Sequence, residues 1–151
     1  MMRSVNLIPA TESDLDRIDL MRSYIDDLIK TDLYDLRSAT IKAKTETEQL
    51  LKSTSEVEQS LCLMCFEDET EIGHVWLNLT DTELFIINLE VYEEYRGQGF
   101  GKSIVQAVEQ LAVEKDLNRI SLSVFPRNKR AMTLYKNSGY SELTVRMEKR
   151  L

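Results

Sequence analysis

The run Tyr95-Arg-Gly-Gln-Gly-Phe-Gly-Lys102 constrains this chain more than any other stretch, because it closes an apolar run, Leu84 to Val91, and opens an amphipathic segment. That order reads as strand, glycine turn, helix. Glycine lets the backbone approach a ligand without a Cβ in the way, and the first N–H groups of a helix have no partner inside it. An anion supplies what they lack. Each charge-assisted hydrogen bond to a phosphate oxygen is worth about 1.5–3 kcal/mol, and the helix dipole adds ~0.3–1 kcal/mol. The junction is therefore a seat for a phosphate group.

Spacing decides which phosphate. A Walker A loop needs Gly-x-x-x-x-Gly-Lys-Ser/Thr; Gly101, Lys102 and Ser103 fit its end, but Arg96 stands where the first glycine belongs. A small P-loop nucleotide enzyme is disfavoured on that ground. A dinucleotide fingerprint started at Gly97 and Gly99 needs its third glycine where Lys102 stands.

What fits is Arg96-x-x-Gly99-x-Gly101, and here the chain resembles the GNAT superfamily of acyl-CoA-dependent N-acetyltransferases. The resemblance takes in the preceding strand Leu89-Glu90-Val91, the helix after the loop, the strand Ile120 to Phe125, and the segment Asn128-Lys-Arg-Ala-Met-Thr-Leu-Tyr135-Lys-Asn-Ser-Gly139-Tyr140. It covers roughly the C-terminal half. It implies an α+β fold of order β-α-α-β-β-β-α-β-α-β, with a central mixed, mostly antiparallel sheet, a splayed parallel strand pair and flanking helices, all in one domain over residues 1–151.

Composition agrees. A chain of 151 residues, 42% hydrophobic and 30% charged, describes one domain that buries about two thirds of its unfolded surface. No apolar run approaches the roughly 20 residues that span a bilayer, and Met1-Met2-Arg3-Ser4 lacks a signal peptide's apolar core. The expectation is a cytoplasmic chain with no membrane partner. A net charge of −7 disfavours nucleic acid and favours a cationic substrate only weakly.

Cys62 and Cys65 have Cys-x-x-Cys spacing, but Leu61 to Phe66 reads as a buried strand on which residues three apart face opposite ways. They are expected to be core thiols, with no metal bound. His74, the only histidine, is expected on the next strand beside Gly73, as a packed ring or a substrate-side polar group.

Along the chain, Val5 to Ile8 is a first strand, after which Thr11 or Ser13 can cap a helix carrying Leu15, Ile18, Met21, Ile25 and Leu28 at helical spacing. A second helical stretch runs from about Asp35 to Lys52. Leu61 to Phe66 and Ile72 to Leu79 flank a turn and form a hairpin that Glu83 to Val91 extends. Helix Gly99 to Lys115, strand Ile120 to Phe125, helix Asn128 to Ser138 and a last extended segment from Tyr140 follow, with Gly139 suited to a left-handed helix end. The long crossover requires the strands ending at Val91 and beginning at Ile120 to run parallel.

The resemblance assigns roles to residues. The pantetheine arm of acetyl-CoA, the co-substrate, pairs with the backbone of Leu89 and Val91. The diphosphate sits on the loop from Gly97, on N–H groups of Gln98, Gly99, Phe100, Gly101 and Lys102, with Arg96 and Lys102 as nearby positive charge. Asn128 is a helix N-cap or a contact to the coenzyme arm. Tyr135 matches the tyrosine that assists departure of the thiolate. With about 10 for tyrosine and about 8.5 for a thiol, full proton donation is uphill by roughly 2 kcal/mol, so a hydrogen bond is the safer role.

Members that use a carboxylate base place it near the position of Phe85. Strict alternation puts Glu83 on the face of Phe85, and Asn88 and Glu90 on the other. Glu83 is thus the first choice of base and Glu90 the second, with a water relay as the alternative. The implied reaction is direct attack of a small-molecule or protein amine in a ternary complex. A non-catalytic acyl-CoA sensor or interaction module is the rival reading. The amine is not legible, and a homodimer is compatible with the sequence without being dictated by it.

Overall fold

In the structure, a computed structural model that describes residues 3–52 and 59–151, the element order is β1 (Asn6–Pro9), α1 (Glu12–Arg17), α2 (Leu20–Lys30), α3 (Leu36–Lys52), β2 (Gln59–Glu67), β3 (Thr70–Leu79), β4 (Leu84–Val91), a 3-10 turn (Glu93–Tyr95), α4 (Phe100–Glu114), β5 (Ile120–Leu122) and α5 (Lys129–Asn137). The fold class is α+β with a five-stranded mixed sheet. The chain divides into two units, residues 1–17 with 54–123 and residues 18–53 with 124–151.

The first unit holds the sheet, in the order β1-β2-β3-β4-β5. Its first four strands pair antiparallel and β4 pairs β5 in parallel, as the α4 crossover demands. The β2–β3 hairpin turns at Asp68, which takes φ of +53°. Register puts Leu63, Cys65, Val75, Leu77, Leu84 and Ile86 on one face, all of them buried. Ile104, Val105, Val108 and Ala112 of α4, which packs on β4, are buried too. Each buried Val, Leu or Ile among them contributes about 1.5–3 kcal/mol. Thr11 caps α1 as expected: its Oγ1 accepts from Asp14 N–H at 3.2 Å while Asp14 Oδ2 accepts from Thr11 N–H at 2.9 Å.

One irregularity in β4 reorders the site. Trp76 pairs with Asn88 but Leu77 pairs with Ile86, so Ile87 is an extra residue, a bulge. Past it the alternation is inverted. Asn88 and Glu90 join Phe85 on the face of Trp76 and His74, correcting the expectation from strict period two that they point the other way. Gly73 sits where strands crowd, since a Cβ there would lie 2.0 Å from the Glu90 carbonyl oxygen.

In the second unit α2 packs on α3, with Leu28, Ala39 and Ala43 buried. Tyr24 meets Phe125 edge-on at 6.0 Å and donates to the Glu46 carboxylate, which also pairs with Lys42 at 2.8 Å. Three expectations are corrected. The first helix is two helices, because Asp19 Oδ1 accepts from Arg22 N–H at 3.1 Å and so caps a new start at Leu20. β5 is three residues rather than six. The segment from Tyr140 forms no strand.

Candidate functional site

The glycine loop adopts the conformation its residues permit. Gly97 and Gly99 take φ of +74° and +86°, a region that costs any other L-residue ~1–2 kcal/mol. Gly99 is the N-cap of α4 and offers no side chain to the helix. The first hydrogen bond into α4 is Ser103 N–H to Gly99 C=O at 3.2 Å, so Phe100, Gly101 and Lys102 carry the N–H groups that a helix leaves for a ligand. Arg96, Gly97, Gln98, Gly99 and Lys102 are exposed.

One residue of the loop's support gave no local signal in the sequence. Arg3 donates from Nε to the Gln98 carbonyl at 3.0 Å, lies 4.5 Å over the Phe100 ring, and pairs with Glu67 at 2.9 Å. It stands 95 positions before Gln98 and is found only in three dimensions.

The strand before the loop has an open edge. Pairing of β4 with β5 ends at Ile86 and Leu122, immediately before the bulge. Tyr92 N–H goes to Ile72 C=O at 3.0 Å, so Leu89 and Val91, of opposite parity, aim their main-chain groups away from β3. The Val91 carbonyl accepts from Arg96 Nε at 2.8 Å. Arg96 therefore ties the loop to the strand end. The side chains of Leu89 and Val91 are half-buried.

On the other face a buried polar group lacks a hydrogen bond. His74 is 3% exposed, and neither ring nitrogen has a hydrogen-bond partner among the described residues. Its Nε2 is 3.5 Å from Glu90 Oε2, and its ring lies 6.1 Å from that of Tyr92. Burial pushes its pKa below 6.5 despite the raising influence of Glu90 and Glu71. Glu71 accepts from Tyr92 Oη at 2.6 Å and pairs with Arg17, whose hydrogen bonds hold the Glu71 carboxyl below its usual range. Glu83 precedes β4, and its carboxylate accepts from Ser121 Oγ at 3.1 Å. Cys62 and Cys65 lie on opposite faces, and burial raises their thiols to about 11 and about 12, so both are protonated at neutral pH.

The second unit carries the other two expected residues. Asn128 is the N-cap of α5, its Oδ1 accepting from Ala131 N–H at 3.1 Å. The Tyr135 ring meets Tyr140 edge-on at 5.6 Å, and burial pushes its hydroxyl up to about 12.

Comparison with known proteins gives this geometry a context. The profile of the acetyltransferase (GNAT) family matches residues 25–140. The uncharacterised N-acetyltransferase YycN of Bacillus subtilis is 34% identical over 84 residues, 53% of this chain and 54% of YycN. Thialysine N-epsilon-acetyltransferase of Bos taurus is 41% identical over 61 residues, 40% of this chain and 36% of that protein. The matches thus span about half of these relatives' length or less. The crystal structure of YycN aligns with a TM-score of 0.84 over 98% of this chain and 99% of that one, at 23% identity, a likeness of fold. A family profile that spans the bulged strand, the Arg96-x-x-Gly99-x-Gly101 loop and the helix of Tyr135 assigns the chain to the GNAT family of acetyltransferases.

Proposed function

We propose that this protein transfers the acetyl group of acetyl-CoA to a primary amine by direct attack on the thioester. One observation carries the reading: the open edge of β4 from Ile87 to Val91 is followed, across one 3-10 turn and the Gly97–Gly99 loop, by the unpaired amides that begin α4. A pantetheine arm carries amides that extend a strand edge, and a diphosphate suits a helix N-terminus, so a single ligand with both parts matches a single stretch of chain. Leu89 and the Val91 N–H serve the arm. Gly97 to Lys102 serve the diphosphate, with Lys102 and the rest of the Arg96 guanidinium as its countercharge. Asn128 orients α5 as its cap, and Tyr135 donates a hydrogen bond to the departing thiolate.

An alkylamine of pKa near 10.4 is protonated at pH 7, and freeing its lone pair costs about 5 kcal/mol. We assign the proton to Glu90, reversing the order of preference read from the sequence. The bulge turns Glu90 to the face of Phe85, whereas Glu83 already serves Ser121. Glu90 stands three residues past the bulge, about 10 Å along the strand, so the proton crosses through water. The relative named for thialysine supports an alkylamine as the acceptor.

Titration calorimetry with acetyl-CoA, then thiol release over a panel of polyamines, amino acids, amino sugars and peptides, tests the reading. Binding with no thiol released from any amine makes the protein a sensor; failure to bind acetyl-CoA overturns both.

A further inference from the structure

An imidazole buried without a hydrogen bond is costly to the fold, and an apolar residue at position 74 would avoid the cost. What surrounds the ring decides where its N–H can go. Across the register on β2 stands Met64, buried and apolar. Glu71 is already engaged: its carboxylate accepts from the two terminal nitrogens of Arg17 at 3.1 and 3.2 Å and from Tyr92 Oη at 2.6 Å. Glu90 remains, opposite His74 on β4, with Oε2 3.5 Å from Nε2. Gly73 tightens this crossing, because the Glu90 carbonyl oxygen lies only 2.0 Å from where any other residue would carry its Cβ.

We propose that His74 is a positioning residue for the base: its ring carries the proton on Nε2 and donates it as a hydrogen bond to Glu90, aiming the other carboxylate oxygen at the substrate amine. This role rests on the reading of Glu90 as the base. Nδ1 faces no acceptor among the described residues, so the ring holds the carboxylate and does not pass the substrate's proton onward. Closing from 3.5 Å to the ~2.9 Å of a charge-assisted bond takes a shift of roughly 0.6 Å, the tightening that catalytic contacts undergo when substrate binds.

The test is thiol release by His74→Met and His74→Gln in the full chain, with acetyl-CoA and the fastest amine of the panel above, each alone and combined with Glu90→Gln. Methionine fills the space and donates nothing, whereas the glutamine amide brings an N–H close to the place of Nε2. A reacting group misplaced by about 1 Å loses up to ~10²-fold in rate. His74→Met is therefore expected to lower kcat by about 10- to 10²-fold with the Kd for acetyl-CoA unchanged, and His74→Gln to recover most of that loss. Added to Glu90→Gln, His74→Met is expected to cost nothing further, because the group it aims is gone. Equal losses in His74→Met and His74→Gln, or effects that multiply in the double variant, mark a merely structural residue and overturn the proposal. If His74→Met does not retain acetyl-CoA, His74→Asn, whose amide falls short of Glu90, takes its place. The two readings fail separately. A wild-type rate in Glu90→Gln removes the base and this role with it, whereas a slow Glu90→Gln beside a wild-type rate in His74→Met removes His74 alone.

Discussion

The Glu90 carboxylate stands 3.5 Å from Nε2 of His74, directly across the β3–β4 register. One partner is half-exposed and the other is buried, so a proton taken by Glu90 from solvent or substrate borders an imidazole with no hydrogen-bond partner among the described residues. Glu90→Gln is expected to lower kcat by about 10²–10⁴, the range of general base catalysis, with the Kd for acetyl-CoA unchanged. Glu83→Gln is expected to change kcat only a few-fold, because the amide still accepts from Ser121. Steady-state thiol release decides it, and the opposite ranking restores Glu83 as the base.

His74 also predicts a pH dependence of stability. Its folded pKa lies below the 6.5 of the unfolded chain. As pH falls through 6.5 the unfolded state takes up a proton that the folded state refuses. Stability is therefore full above 6.5 and is lost as pH falls toward the folded pKa, at up to about 1.4 kcal/mol per pH unit. Glu71, whose pKa is lowered from 4.5, loses its share only further down, and Asp27, whose carboxyl burial raises, acts with the opposite sign, so the comparison with His74→Met is what isolates the histidine. Urea midpoints of the wild type are expected to fall from about pH 7 to 5 and those of His74→Met to stay flatter. Parallel curves would show that His74 does not titrate there.

The loop and its helix were legible in the sequence because both are local: Gly97 and Gly99 announce positive φ, and the apolar spacing of Ile104, Val108 and Ala112 announces the buried side of α4. The orientation of Glu90 was not legible. A bulge is a property of two strands, and nothing in Leu84 to Val91 read alone says that Ile87 goes unpaired. The break before α2 was hidden for a different reason: Ile18 continues the helical apolar period through the point where the Asp19 carboxylate caps a new start. Arg3 was missed for want of any short-range pattern.

Tyr135 is expected to act as a hydrogen-bond donor and not as a proton donor. With its hydroxyl at about 12, transfer to a thiolate of about 8.5 is uphill by about 5 kcal/mol. Loss of one donor to a developing anion costs about 10²–10³ in rate, so Tyr135→Phe is expected to lower kcat by that factor and leave the Kd for acetyl-CoA in place. The kcat profile should show no ionisation of Tyr135 up to pH 10. A wild-type rate in the variant removes the residue from the mechanism.

Gly99→Ala separates conformational cost from steric cost. Nothing lies within 4 Å of the Cβ it adds, yet φ of +86° remains. The expected loss is ~1–2 kcal/mol, a fall of about 2–8 °C in Tm. Acetyl-CoA should bind at least about tenfold more weakly, because turning the cap residue turns the amides after it. Undiminished affinity would move the diphosphate away from α4.

Arg3→Ala is expected to weaken acetyl-CoA by a few-fold, or ~1 kcal/mol, with little effect on kcat at saturation. Arg3 holds the Gln98 carbonyl and covers the Phe100 ring, so its loss frees the backbone on both sides of Gly99 while leaving β4, Glu90 and Tyr135 as they are. Arg3→Lys keeps a charge near the ring but cannot reach Gln98, Phe100 and Glu67 together with one compact ammonium, and should recover only part of the affinity. Calorimetry on the three proteins measures this order. If Arg3→Lys binds as tightly as the wild type, the residue acts as a point charge toward the diphosphate and not as a clamp on the loop.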